Sequence, residues 1–204
     1  MKIKEISVSY IHRMKYYVLL SLIIFLASLL LSYVYPGTFQ SLVLPAVQGL
    51  NQGVQNGTVK LETIPLFTNN FSVALSLFAG GVYFSIPTLY LLIYNGLVIG
   101  FTGAQLNLSY FLTYTLPHGI VELSAIVLAG ATGFRITHGI ITLLSGIKIK
   151  GSNKSKYFKE HGIIAIKMII DAIVLILLVA ILLLIAAYIE ANLTIPIGNL
   201  ILGS

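Results

Sequence analysis

YNGLVIGFTGAQLNLSYFLTYTLPHGIVELSAIVLAGATGFR, residues 94–135, is the stretch whose reading decides the fold. Its background is oily enough for a lipid bilayer, yet it holds Asn95, His118, Glu122 and Arg135, glycine-bracketed breaks and a Pro-His-Gly step. Ionisable side chains at membrane depth cost roughly 2.5 kcal/mol or more each, so they pair with one another, line a cavity or sit at an interface. A helix that only filled lipid space would carry none of them.

The rest of the chain supports a membrane setting. Of 204 residues 57% are hydrophobic and only 9% are charged, against about 25% charged in an ordinary globular domain. This composition predicts an all-α, polytopic membrane helical bundle forming a single membrane domain over residues 1–204, with no room for a soluble domain. Cysteine is absent, which removes disulfides, thiolate catalysis and cysteine metal sites together. The net charge of +6 comes from Lys and Arg flanking apolar runs, where topology explains them. Without a basic groove or an aromatic platform, no nucleic-acid partner is expected.

Taken in order, the chain predicts about five transmembrane helices. Lys2, Lys4, Arg13 and Lys15 against Glu5 place the N-terminus in the cytoplasm, ahead of a first span over about 16–35 with tyrosines at both ends. Residues 36–66 read as an outer loop, and PAVQGLNQGVQNG within it as irregular, surface-lying chain. A short, small-residue span over 69–85 includes Gly80 and Gly81, and Pro87 opens a third span over 87–105. Residues 106–117 are too short to cross and end in proline, so a broken or re-entrant segment is expected there. A fourth span covers 117–137, reaching 147 through a bend. Lys148, Lys150, Lys154, Lys156 and Lys159 make 148–161 a cytoplasmic lysine loop, before a last span over 163–189. That count leaves the C-terminus outside the cell membrane.

Several positions stand out as candidate site residues. His118 and Glu122 are four residues apart, on one helical face. Asn95 either marks a kink with Gly96 or donates into a polar cluster with His118 and Glu122. Gly96, Gly100 and Gly103 recur near one helical face and invite close packing, while Pro117 and Gly119 flank the histidine. Arg135 lies thirteen residues beyond Glu122, roughly 20 Å along a helix, and so marks the cytoplasmic end. Lys167 and Asp171 suit a same-face ion pair, unless Asp171 finds its partner on another helix.

The same stretch resembles the stage II sporulation protein M family, whose pattern is Asn-Gly followed by Gly, then Pro-His-Gly-x-x-Glu, then Gly-x-Arg. Here it reads Asn95-Gly96 with Gly100, Pro117-His118-Gly119-Ile120-Val121-Glu122, and Gly133-Phe134-Arg135, with NNFSVALSLFAGG upstream at residues 69–81. The resemblance implies a multi-span membrane protein of the kind that, in spore formers, helps hold cell-wall hydrolases at the engulfing septum.

No catalytic machinery is legible. A Gly-x-Ser-x-Gly elbow and a His-Glu-x-x-His motif are both absent, and nothing places His138 beside His118 and Glu122 as a third metal ligand. No metal, no cofactor and no enzyme activity are therefore expected. Two function classes stand. One is a scaffold or assembly subunit whose polar cluster fixes helix packing, with the lipid bilayer, other membrane or envelope proteins and a homo-oligomer as partners. The other is a permease-like transport subunit using that cluster as a solute, ion or proton site. The scaffold is preferred, because no single span carries the density of polar residues a solute pathway shows.

Overall fold

The computed structural model describes residues 3–57, 60–147 and 154–202. Seven α-helices follow in order: α1 (Ile3–Val34), α2 (Pro36–Gln55), α3 (Thr63–Ala79), α4 (Ile86–Gln105), α5 (Leu108–Ile147), α6 (Lys154–Asn192) and α7 (Thr194–Leu202), with a 3₁₀ turn at Gly80–Tyr83. No strand occurs among the described residues. Among the described residues four helices are long and apolar enough to cross a membrane: α1 from Ser9, then α4, α5, and α6 from Ser155. The chain is therefore an all-α, polytopic bundle.

The contacts fix the direction of each helix. Arg13 in the first half of α1 meets Asp171 midway along α6, whereas Asn192 at the end of α6 meets Thr63 at the start of α3. Thr88 at the start of α4 bonds Leu77 at the end of α3. Helices α1, α4 and α6 thus run one way, and α3 and α5 the other. The bundle has two ends, one carrying Arg13, Arg135 and Asp171, the other His118 and Glu190. With 17 residues, α3 is roughly 25 Å long, and its own side chains span this depth only just.

Helix α5 is the axis of the bundle and makes its most extensive contact with α6. Its buried face is small: Ala125, Ala129, Gly130, Ala131, Gly133 and Gly139. Small residues let backbones approach closely, which is the main source of helix attraction where lipid is as apolar as the side chains. The facing stripe of α6 runs Asp171, Leu175, Val179, Leu183, Ala186 and Glu190, one residue per turn. Between these two helices and α1, α3 and α4 lies one apolar core that includes Phe25, Leu77, Leu92, Ala125 and Val179.

Two expectations are corrected by the backbone. The segment read as irregular surface chain is α2, a 20-residue helix that buries Val43 against Leu97 and Phe101 of α4. The chain does break at Leu106–Asn107, but residues 108–117 are the first turns of α5 rather than a re-entrant piece. Asn107 caps that start, its side chain accepting from the backbone N–H of Ser109 at 3.0 Å. Pro117 sits inside the helix, where it removes only the bond to the carbonyl of Thr113. Helix α5 continues unbroken to Ile147, and with 40 residues it is roughly 60 Å long, about twice the hydrocarbon thickness. Lys148 and Lys150 of the expected lysine loop lie outside the described residues, while Lys156 and Lys159 belong to the first turns of α6.

The glycine faces are filled within the chain. A Cβ on Gly96 would stand 2.7 Å from the Phe25 carbonyl oxygen, and one on Gly100 would collide with that of Leu29, both on α1. Gly103 faces the Phe111 ring of α5, and Gly119 meets only Thr115 of its own helix. Gly80 packs on Thr88, while Gly81 packs on the Gly133 backbone. Between α3 and α4 the chain turns through Phe84 and Ser85, both left-handed at φ 54° and 59°. Such a pair costs non-glycine residues on the order of 1–2 kcal/mol each. Buried Ser85 holds the turn by bonding the Thr137 hydroxyl at 2.6 Å, and Thr137 in turn donates to the Gly81 carbonyl at 2.7 Å.

Candidate functional site

At the first end of the bundle, one buried carboxylate holds two guanidinium groups. Arg13 is bidentate on Asp171, Nη2 to Oδ1 at 2.7 Å and Nε to Oδ2 at 2.9 Å. Arg135 Nη2 reaches Oδ2 at 2.6 Å. Three helices, α1, α5 and α6, are thereby tied at one point. Arg135 and Asp171 are almost completely buried, whereas Arg13 remains 43% exposed. The arginines outcompete the residue expected to serve: Lys167 forms no ion pair with Asp171 among the described residues. Lys167 instead lines a cavity of about 650 Å³ together with Arg13, Arg135, Met168 and Asp171.

Tyrosines complete this network. Arg135 Nη1 donates to the Tyr17 hydroxyl at 3.0 Å and stacks its guanidinium 5.1 Å from the Tyr17 ring. The Tyr17 hydroxyl also shares a hydrogen bond with His138 Nδ1. Tyr10 donates to the Asp171 carbonyl oxygen at 2.9 Å. Arg135 Nε is buried without a partner among the described residues. The residue expected to mark a membrane boundary is thus a buried element of the helix packing. One carboxylate facing two guanidiniums leaves the network with a formal charge of +1.

The second end holds the residues that the Pro-His-Gly step brings forward. His118 and Glu122 lie on one face of α5, and Glu190 on the last turns of α6 meets them. One ligand atom from each of the three lies within 4.8 Å of the others. The third member of this cluster is Glu190, not Asn95. Asn95 donates its amide to the Leu91 carbonyl at 2.8 Å, one turn back in α4. The reason is rotational: α4 turns Gly96 and Gly100 onto α1, whereas α5 turns His118 and Glu122 toward α6 and α7. His118 Nδ1 lies 3.1 Å from the Thr194 hydroxyl at the start of α7. His138 sits twenty residues farther along α5, roughly 30 Å away on a straight helix, and belongs to the first end.

Sequence reasoning missed two partnerships. The last span expected over 163–189 stops one residue short of Glu190, which is half-buried and continues the inward stripe of α6. The Arg13–Asp171–Arg135 network spans 158 positions and lies beyond any helical spacing rule. One signal was available for half of it, since Arg135 and Asp171 are isolated charges of opposite sign in oily segments and call for one another.

A polytopic helical bundle with paired charges buried at one end and a histidine–carboxylate cluster at the other defines a class of integral membrane protein. Within it, this chain belongs to the family described as Stage II sporulation protein M, whose model matches residues 20–195. An uncharacterized protein of Methanocaldococcus jannaschii is 30% identical over 142 residues, covering 67% of this chain and 73% of the relative. A second uncharacterized protein of that organism is 24% identical over 207 residues, covering 97% of this chain and 90% of the relative. No solved structure matches the chain.

Proposed function

We propose that this chain is a non-catalytic scaffold or assembly subunit of a cell membrane, working with lipid and with other membrane or envelope proteins. The observation that carries the reading is the separation of its two polar ends. Asp171 and Glu190 are nineteen residues apart on α6, roughly 28 Å, and the stripe between them is Leu175, Val179, Leu183 and Ala186. Transport sites lie near the midplane, among broken helices. Here the buried hydroxyls of the middle are spent on backbone carbonyls, Ser21 on Val127 at 2.6 Å and Thr132 on Ala129 at 2.5 Å. A register held at both ends and sealed in the middle suits a rigid platform better than a conduit.

The test is paired. Purified chain in lipid vesicles is expected to pass no protons or ions above protein-free vesicles, while mild solubilisation of native membranes retains stoichiometric membrane-protein partners. Saturable flux that Glu122→Gln abolishes would overturn the scaffold in favour of a transport subunit.

The orientation follows from the same charges. Arg13, Lys15, Lys156 and Lys159 gather at the Asp171 end, which we place in the cytoplasm with the N-terminus, leaving α7 outside. Because the chain has no cysteine, single substitutions give a clean readout. Lys159→Cys is expected to react with an impermeant maleimide only from the cytoplasmic side, and Leu200→Cys only from the outside; the opposite pattern would invert the topology.

A further inference from the structure

The His118–Glu122–Glu190 cluster has no counter-charge, since neither glutamate forms an ion pair with Lys or Arg among the described residues. Two carboxylates that close, half-buried at the end of an apolar bundle, repel each other unless something positive lies between them. The hydrogen bonds around His118 say what kind of donor stands beside them. Thr194 donates its hydroxyl hydrogen to the Ile189 carbonyl at 3.2 Å, so its oxygen is left to accept from His118 Nδ1 at 3.1 Å. With the hydroxyl hydrogen given to Ile189, a neutral imidazole carries its own hydrogen on Nδ1, and Nε2 keeps its lone pair. Donation of the far ring N–H to a fixed oxygen, here a hydroxyl, is what orients a metal-ligating imidazole.

We propose that His118, Glu122 and Glu190 bind one divalent transition-metal ion of the zinc or manganese type, fastening the first half of α5 to the end of α6. Three considerations select the ion. One imidazole nitrogen with two carboxylate oxygens suits divalent first-row transition metals, which take nitrogen and oxygen together, whereas calcium and magnesium prefer all-oxygen shells. A double positive charge cancels both carboxylates and leaves the cluster neutral, which a monovalent ion does not. Three protein ligands leave a fourth position for water. Ligand atoms around zinc stand about 3.4 Å apart, so closure from within 4.8 Å asks for shifts of little more than 1 Å in three half-buried side chains. The ion ties α5 to α6 whatever the chain's wider role, so the proposal does not depend on the scaffold reading.

The test uses the full chain in detergent, stripped with a chelator and free of any histidine tag, titrated separately with Zn²⁺ and Mn²⁺ by calorimetry while thermal unfolding is followed. One ion per chain with a raised Tm is expected, and Co²⁺ in its place should give the visible spectrum of nitrogen–oxygen coordination. Glu190→Gln and His118→Asn should each abolish the stoichiometric site. Thr194→Val, which frees the imidazole without removing a ligand, should weaken binding about 10- to 100-fold. Absence of saturable uptake at millimolar ion, as when protons alone neutralise the pair, overturns the proposal, and so does unchanged binding in Glu190→Gln. Should His118→Asn fail to fold, Glu190→Gln and Thr194→Val still decide, since both keep side-chain volume and are checked by circular dichroism.

Discussion

Asp171→Ala is expected to lower the stability of the bundle by about 3–5 kcal/mol, the cost of leaving a buried charge without its partner. Arg135 is the reason. Its side chain is only 6% exposed, and its Nε already lacks a partner, so loss of Asp171 leaves a guanidinium supported by the Tyr17 hydroxyl and ring alone. Arg13 is 43% exposed and can turn toward the headgroups, so Arg13→Ala should cost no more than about 1 kcal/mol. The triple replacement Arg13→Met, Asp171→Leu and Arg135→Met removes all three charges together and should recover most of the loss, because a buried ion pair barely repays its own desolvation. Unfolding in graded denaturing detergent, followed by circular dichroism, ranks the four proteins. Asp171→Ala as stable as the parent would show that the network does not hold the helices together.

The contrast between the two ends shows which layer of information a sequence carries. That charges in oily segments must find partners was legible at Arg135, Asp171, His118 and Glu122. The identity of each partner was not, because it depends on how a helix is rotated and which helix stands opposite. Helical spacing pointed Asp171 to Lys167, four residues back, but Asp171 faces the bundle while Lys167 is exposed, and two forked guanidiniums match both carboxylate oxygens. The same rule correctly joined His118 to Glu122 on one face, yet could not add Glu190 from seventy residues away. In α2, glycine and glutamine hid a stripe at Phe39, Val43 and Val47 that repeats every four residues and packs on α4. The family, in contrast, was readable at once, because Asn-Gly, Pro-His-Gly-x-x-Glu and Gly-x-Arg are local patterns that need no knowledge of what they touch.

The glycines carry the second large effect. Gly100→Ala should destabilise by roughly 1–3 kcal/mol, the range for forcing extra volume into a packed core, because its new methyl would run into the Leu29 carbonyl oxygen of α1. Gly133→Ala should match it, with a Cβ 2.5 Å from the Leu77 carbonyl oxygen and from Thr88 Oγ1. In both cases the obstacle is backbone, which cannot swing aside as a side-chain tip can. Gly49→Ala in α2 is the control, since nothing lies within 4 Å of the added methyl, and better helix propensity should make it neutral or stabilising by up to about 1 kcal/mol. Measuring unfolding and native mass on the same samples separates two uses of a small-residue face. Gly100→Ala that loses stability at constant mass places the face inside one chain, where α1 fills it. Gly100→Ala that keeps its stability while changing mass would put the face between copies, and the α1–α4 packing described above would have to be rebuilt around a dimer.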